Sequence, residues 1–66
     1  MLFARLEAIG SMTETFEKPK DVYVNPNRVT MFALVPGTET TQLELFDGSI
    51  LLVKALPEAV RMALEF

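Results

Sequence analysis

Sixty-six residues form one domain at most, spanning 1–66, and a chain this short buries only about 60% of its unfolded surface, so it is marginal alone. It has no Cys and no His, which removes disulfides, soft-metal sites and imidazole acid–base chemistry in one step. Nine acidic residues outnumber six basic ones for a net charge of −3, a balance that disfavours nucleic-acid binding.

Residues 2–8, LFARLEA, alternate: Leu2, Ala4, Leu6 and Ala8 fall on one side and Phe3, Arg5 and Glu7 on the other. That pattern predicts a half-buried strand, with a helix as the competing reading, and Gly10 and Ser11 end the segment. Residues 11–20 are polar and mixed. Pro19 lacks an N–H, so the stretch reads as a loop with a short edge strand at 13–17 and Phe16 as its anchor.

Residues 21–24 and 28–35 read as strands on either side of an Asn-Pro-Asn corner. In the second, Val29, Met31, Ala33 and Val35 alternate with Thr30, Phe32 and Leu34, so both faces are largely apolar and burial on both sides is predicted. Pro36 to Thr40 is a turn in which Gly37 supplies positive φ. The segment TTQLELF-DG-SILLVK predicts a hairpin with a two-residue loop at Asp47–Gly48. That loop would set Leu45 opposite Ile50 and Leu43 opposite Leu52, with all four on one face. Residues 57–65 read as a short helix with Pro57 in its first turn, an apolar stripe of Leu56, Val60, Ala63 and Leu64, and no side-chain cap. Arg61 and Glu65 are spaced to pair on its wet side.

The expected architecture is therefore mainly β with one C-terminal helix, an α+β fold with a small curled antiparallel sheet of four to five strands in the order β-β-β-β-β-α. One helix covers only one face of such a sheet. Strand 28–35 and the second hairpin strand, with Ile50 and Leu52 on one face and Leu51 and Val53 on the other, are apolar on both faces and thus call for a tightly curled sheet or a second subunit.

Catalytic patterns are missing. No His-based triad or thiol nucleophile is available, neither serine sits in G-x-S-x-G, and there is no P-loop or G-x-G-x-x-G. Glu44 and Asp47 fall on opposite sides of the pleat, so they do not converge. The expectation is a non-enzyme with no metal and no cofactor. At the corner, Asn25 precedes Pro26, which favours an extended conformation and an Asx-turn, and Asn27 tolerates left-handed φ. Arg28 has no part in that turn; Asp21 is a possible partner. Phe46 and Phe66 fall off the main buried faces. With Arg28, Ala59 and Met62 they are the candidate interaction residues.

The order of signals, with VYVNPNRV, TTQLELFDGSILLVK and LPEAV, resembles the FlbD family of small bacterial flagellar-associated proteins, known in swarming bacteria as SwrD. Val24, Asn25, Pro26, Val29, Thr41, Leu43, Gly48, Val53, Lys54 and Val60 fall on that family's pattern, over residues 21–64. The chain departs from it in a longer insert at 10–20 and in Ala55-Leu56, where the family carries an acidic residue and a small polar cap. The resemblance implies a β-ribbon closed by a helix and, for function, a motility accessory. The CsrA-type RNA-binding regulators share the order of five strands and a helix, but this chain lacks their basic character.

Half the residues are hydrophobic and mean hydropathy is +0.29, high for a small monomer. The composition points to a non-catalytic, cytoplasmic, bacterial interaction or regulatory protein whose partners are itself, as a dimer or higher homo-oligomer, and another protein. Membrane insertion is not expected, because no apolar run approaches the ~20 residues of a span. The opening residues lack the pattern of a secretory leader. The alternatives are a nucleic-acid-associated regulator using Arg5, Lys18, Lys20, Arg28 and Lys54, and a phage- or plasmid-encoded inhibitor of a host protein.

Overall fold

In the computed structural model the described residues are 3–65, so Leu2 of the first stripe and the candidate Phe66 lie outside them. Five antiparallel strands, β1 (Ala4–Ser11), β2 (Thr15–Val24), β3 (Val29–Leu34), β4 (Thr41–Leu45) and β5 (Ile50–Val53), precede one helix, α1 (Pro57–Ala63). They form a single sheet in the order β2-β1-β5-β4-β3.

The alternation in β1 is as expected: Ala4, Leu6 and Ala8 are buried and Arg5 and Glu7 are exposed. The strand does not stop at Ala8, however. Gly10 lies inside it, at an irregularity in the pairing with both neighbours. A Cβ on Gly10 would come within 2.8 Å of the Glu14 carbonyl oxygen, so glycine here permits close backbone approach rather than strand termination. The segment expected as a loop is an edge strand, longer than the 13–17 piece, with Pro19 in its interior. An edge position tolerates the missing donor.

β2 and β3 occupy opposite edges of the sheet yet are joined by a link that includes the 3-10 turn Pro26–Arg28. In a flat sheet the outer strands would be about 19 Å apart, four spacings of about 4.8 Å. A 3-10 turn advances only about 2 Å per residue. The sheet must therefore curl until its two edges approach at that corner. The concave face carries the core: Ala4, Leu6, Val24, Leu43 and Val53 meet Val60 of α1 and Leu64 at its C-cap. The predicted helix stripe is half right, because Leu56 and Ala63 are exposed while Val60 and Leu64 are buried. Seven residues give two turns, enough to sink one edge of the helix and no more. Thr41 is the one buried polar residue among those described, and its Oγ1 donates to the Ala55 carbonyl at 2.6 Å.

The β4–β5 hairpin forms, but one residue out of the predicted register. Leu43 pairs with Leu51 and Glu44 with Ile50. The Leu45 N–H donates to the Ser49 carbonyl and the Gly48 N–H to the Leu45 carbonyl, and Gly48 has φ 92°. The loop is thus three residues, Phe46 to Gly48, with glycine in the left-handed position. A one-residue slip exchanges faces: Leu43 and Leu51 point to the core, and Ile50 and Leu52 lie on the convex face with Gln42 and Glu44.

Candidate interaction surface

The Asn-Pro-Asn corner is built as the sequence suggested, with one difference. Asn25 is extended (φ −76°, ψ 115°) and its Oδ1 accepts from the Asn27 N–H at 3.0 Å, and Pro26 opens the turn. Asn27 does not use its tolerance of left-handed φ, since no described non-glycine residue has positive φ. Arg28 does not pair with Asp21, whose carboxylate accepts from Arg5 at 3.3 Å. Instead the Arg28 guanidinium carbon lies 5.0 Å from the centroid of the Phe46 ring, and the Arg28 carbonyl accepts from the Phe46 N–H at 2.8 Å. Two candidates far apart in sequence are thereby brought together as a cation–π pair. The Phe46 side is 67% exposed, as expected for a residue off the core.

Asp47 completes this corner. Its Oδ1 accepts from the Ser49 N–H at 2.9 Å. Hydrogen bonds from Ser49 hold its carboxyl below the ordinary value, with the Arg28 charge adding a smaller push in the same direction.

Ala59 and Met62 are exposed on α1, Met62 at 61%. Arg61 pairs not with Glu65 but with Glu58, at 2.6 Å. This bond holds the Glu58 carboxyl below its usual range and raises the guanidinium.

A groove of about 500 Å³ separates α1 from β3, lined by Pro26, Val29, Met31, Phe32, Arg61 and Leu64 among others. The β3 wall of this groove departs furthest from the sequence reading. A strand apolar on both faces was expected to be buried on both sides, yet β3 is an edge strand. Met31 and Leu34 are each 46% exposed, and Ala33 is also exposed. The predicted alternation holds only from Met31 onward, because an irregularity between Val29 and Met31 carries Val29 to the core face. The residues missed in the sequence are therefore Phe32, Ala33 and Leu34. Their signal was present as double-sided hydrophobicity, which the sequence reading gave to a curled sheet or a second subunit without naming these residues as interaction candidates.

Among the described residues no group of His, Cys, Asp and Glu could hold a metal ion, and no helix is long and apolar enough to cross a membrane. What the surface offers is apolar contact, two cation–π pairs, Arg28 with Phe46 and Lys20 with Phe16, and strand-edge hydrogen bonds. No family model, curated protein or solved structure matches the chain.

Proposed function

We propose that this chain is a non-catalytic interaction protein that self-associates and binds a second protein through its exposed aromatic and aliphatic side chains. The observation that carries the reading is the amount of apolar surface left uncovered. Phe3, Met12, Tyr23, Phe46 and Met62 are each more than half exposed. The whole chain exposes 4728 Å² at a mass of 7.4 kDa, against about 4,200 Å² for a compact monomer of that size.

Phe46 under Arg28 is the best-built contact for another protein, because aromatic residues and Arg dominate interface energetics and the pair is tied by a backbone hydrogen bond at the corner. Met62 and Ala59 on the helix supply a second, adaptable patch. The positions shared with the FlbD pattern serve turns and core here: Asn25 and Pro26 make the corner, Gly48 the hairpin, and Leu43, Val53 and Val60 the interior. They support a common architecture, and the motility role adds nothing further to the proposal.

Purified protein is expected to scatter light as more than one subunit at micromolar concentration. Phe46→Ala and Met62→Ala, in separate variants, are expected to weaken capture of the cognate protein without changing the fold. A clean monomer whose protein contacts are indifferent to both substitutions would remove the reading.

A further inference from the structure

We infer that the partner in self-association is a second copy of this chain, joined edge to edge through β3 in antiparallel, two-fold fashion. The inference rests on the proposed self-association and specifies where it occurs.

The two sheet edges are treated differently by the sequence. The exposed edge of β2 carries Lys18, Pro19 and Lys20 in succession, with the Lys20 ammonium 4.4 Å from the Phe16 ring centroid. Charge and proline are the usual protection of an edge against pairing. β3, VTMFAL, has neither. The Val35 N–H donates to the Thr40 carbonyl at 2.9 Å, and β3 pairs with β4 as Leu34 with Thr41, Ala33 with Gln42 and Phe32 with Leu43. Alternation then turns the backbone groups of Met31 and Ala33 toward β4, and those of Phe32 and Leu34 outward, to an edge with no neighbouring strand.

The pairing segment is bounded on both sides. The irregularity at Val29–Met31 closes one end, and Pro36, which has no N–H, closes the other. Between them, residues 31–35 have Ala33 as their midpoint. A two-fold axis through Ala33 is the register that pairs the entire segment with itself. It sets Phe32 opposite Leu34 of the partner subunit, and Leu34 opposite the partner's Phe32, as hydrogen-bonded pairs, with about four backbone hydrogen bonds. Met31 meets Val35 of the partner subunit on the convex side. At the axis the two Ala33 residues form a non-hydrogen-bonded pair, the closest approach in an antiparallel ladder, about 4.5 Å between Cα atoms. Ala33 is the smallest side chain of β3 and sits where that approach is needed. The result is an isologous interface that makes one continuous sheet from two curled ones. It gives the double-sided hydrophobicity of β3 the burial that one chain does not supply. A free peptide strand would satisfy the same backbone groups, but it would not need the segment to be complementary to itself.

The test compares wild type, Ala33→Lys and Leu34→Pro by light scattering from micromolar to millimolar concentration. Far-UV circular dichroism and urea midpoints serve as fold controls. Ala33 is exposed, so lysine there leaves the monomer intact while placing two ammonium groups side by side at the axis. Proline at Leu34 removes an outward donor and spares the β4 ladder. Wild type is expected at twice 7.4 kDa and both variants at the monomer mass, with Phe32 and Leu34 amide exchange in wild type slowing as concentration rises. If wild type associates and both folded variants associate equally well, the β3 assignment is overturned while self-association stands. If wild type is monomeric throughout, both fall.

Discussion

Thr41 shows how much a single side chain does in a domain this small. Its hydroxyl is fully buried and ties β4 to the Ala55 carbonyl, in the link from β5 to the helix. Thr41→Val keeps the shape and removes the donor, leaving the half-buried Ala55 carbonyl without this bond. The expected loss is about 1–3 kcal/mol, read from the urea midpoint. Gly10 is the second such position. Gly10→Ala drives a methyl group into the Glu14 carbonyl, 2.8 Å from the ideal Cβ, and is expected to cost about 1–3 kcal/mol with the β1–β2 pairing affected first. Asp47 sets a pH dependence whose sign follows from its bonds. Its folded carboxyl lies below the ordinary value because Ser49 hydrogen-bonds the charged form. A group depressed in the folded state stabilises above its unfolded pKa and loses that contribution as pH falls through the folded one. The Ser49 amide resonance is expected to titrate with a midpoint below that of Asp in an unfolded peptide, and to lose this transition in Asp47→Ala.

At the scale of elements, the sequence resolved types better than registers. Four of the five strands and the helix were legible from alternation, Pro and Gly, because those signals act over a few residues; β2 was not, because its first half is polar and contains Pro19, which read as a loop. The Asp-Gly pair correctly marked a hairpin, but the choice between a two- and a three-residue loop is a small local difference. Burial decided it: the longer loop sends Leu51 and Val53 inward with Leu43, whereas the shorter one would have sent Ile50 and Leu52. The helix start was legible in the negative, since Leu56 at its N-cap makes no side-chain capping bond. Leu56 is extended and 49% exposed, so Leu56→Ser is expected to add a cap and raise stability by about 0.5–1 kcal/mol, measured as a higher urea midpoint.

For the molecule as a whole, the question is where a small chain that is half hydrophobic finds cover. The curled sheet and α1 bury a compact set around Leu43, Val53 and Val60, and little remains to cover the convex face or β3. If two copies join, stability becomes linked to concentration by mass action. The thermal midpoint of wild type is expected to rise with protein concentration, and that of Ala33→Lys to stay constant; differential scanning calorimetry over a concentration series reads both. The candidate site was only partly legible. Phe46 was marked by falling off the main buried faces, and Arg28 by having no part in its turn. The cation–π contact was not visible, because Arg28 and Phe46 meet only through the fold.

The sequence by itself determined the elements other than β2, the Asn25–Pro26 corner, the lack of imidazole and thiol side chains, and the excess of apolar side chains, all properties of single residues and their near neighbours. Only the tertiary structure decided the strand order, which makes β3 an edge. Strand order depends on closing the sheet around one core through contacts distant in sequence, and local patterning carries no record of it. The same six residues that read as an interior strand are, in the folded chain, an open edge with apolar side chains on both faces.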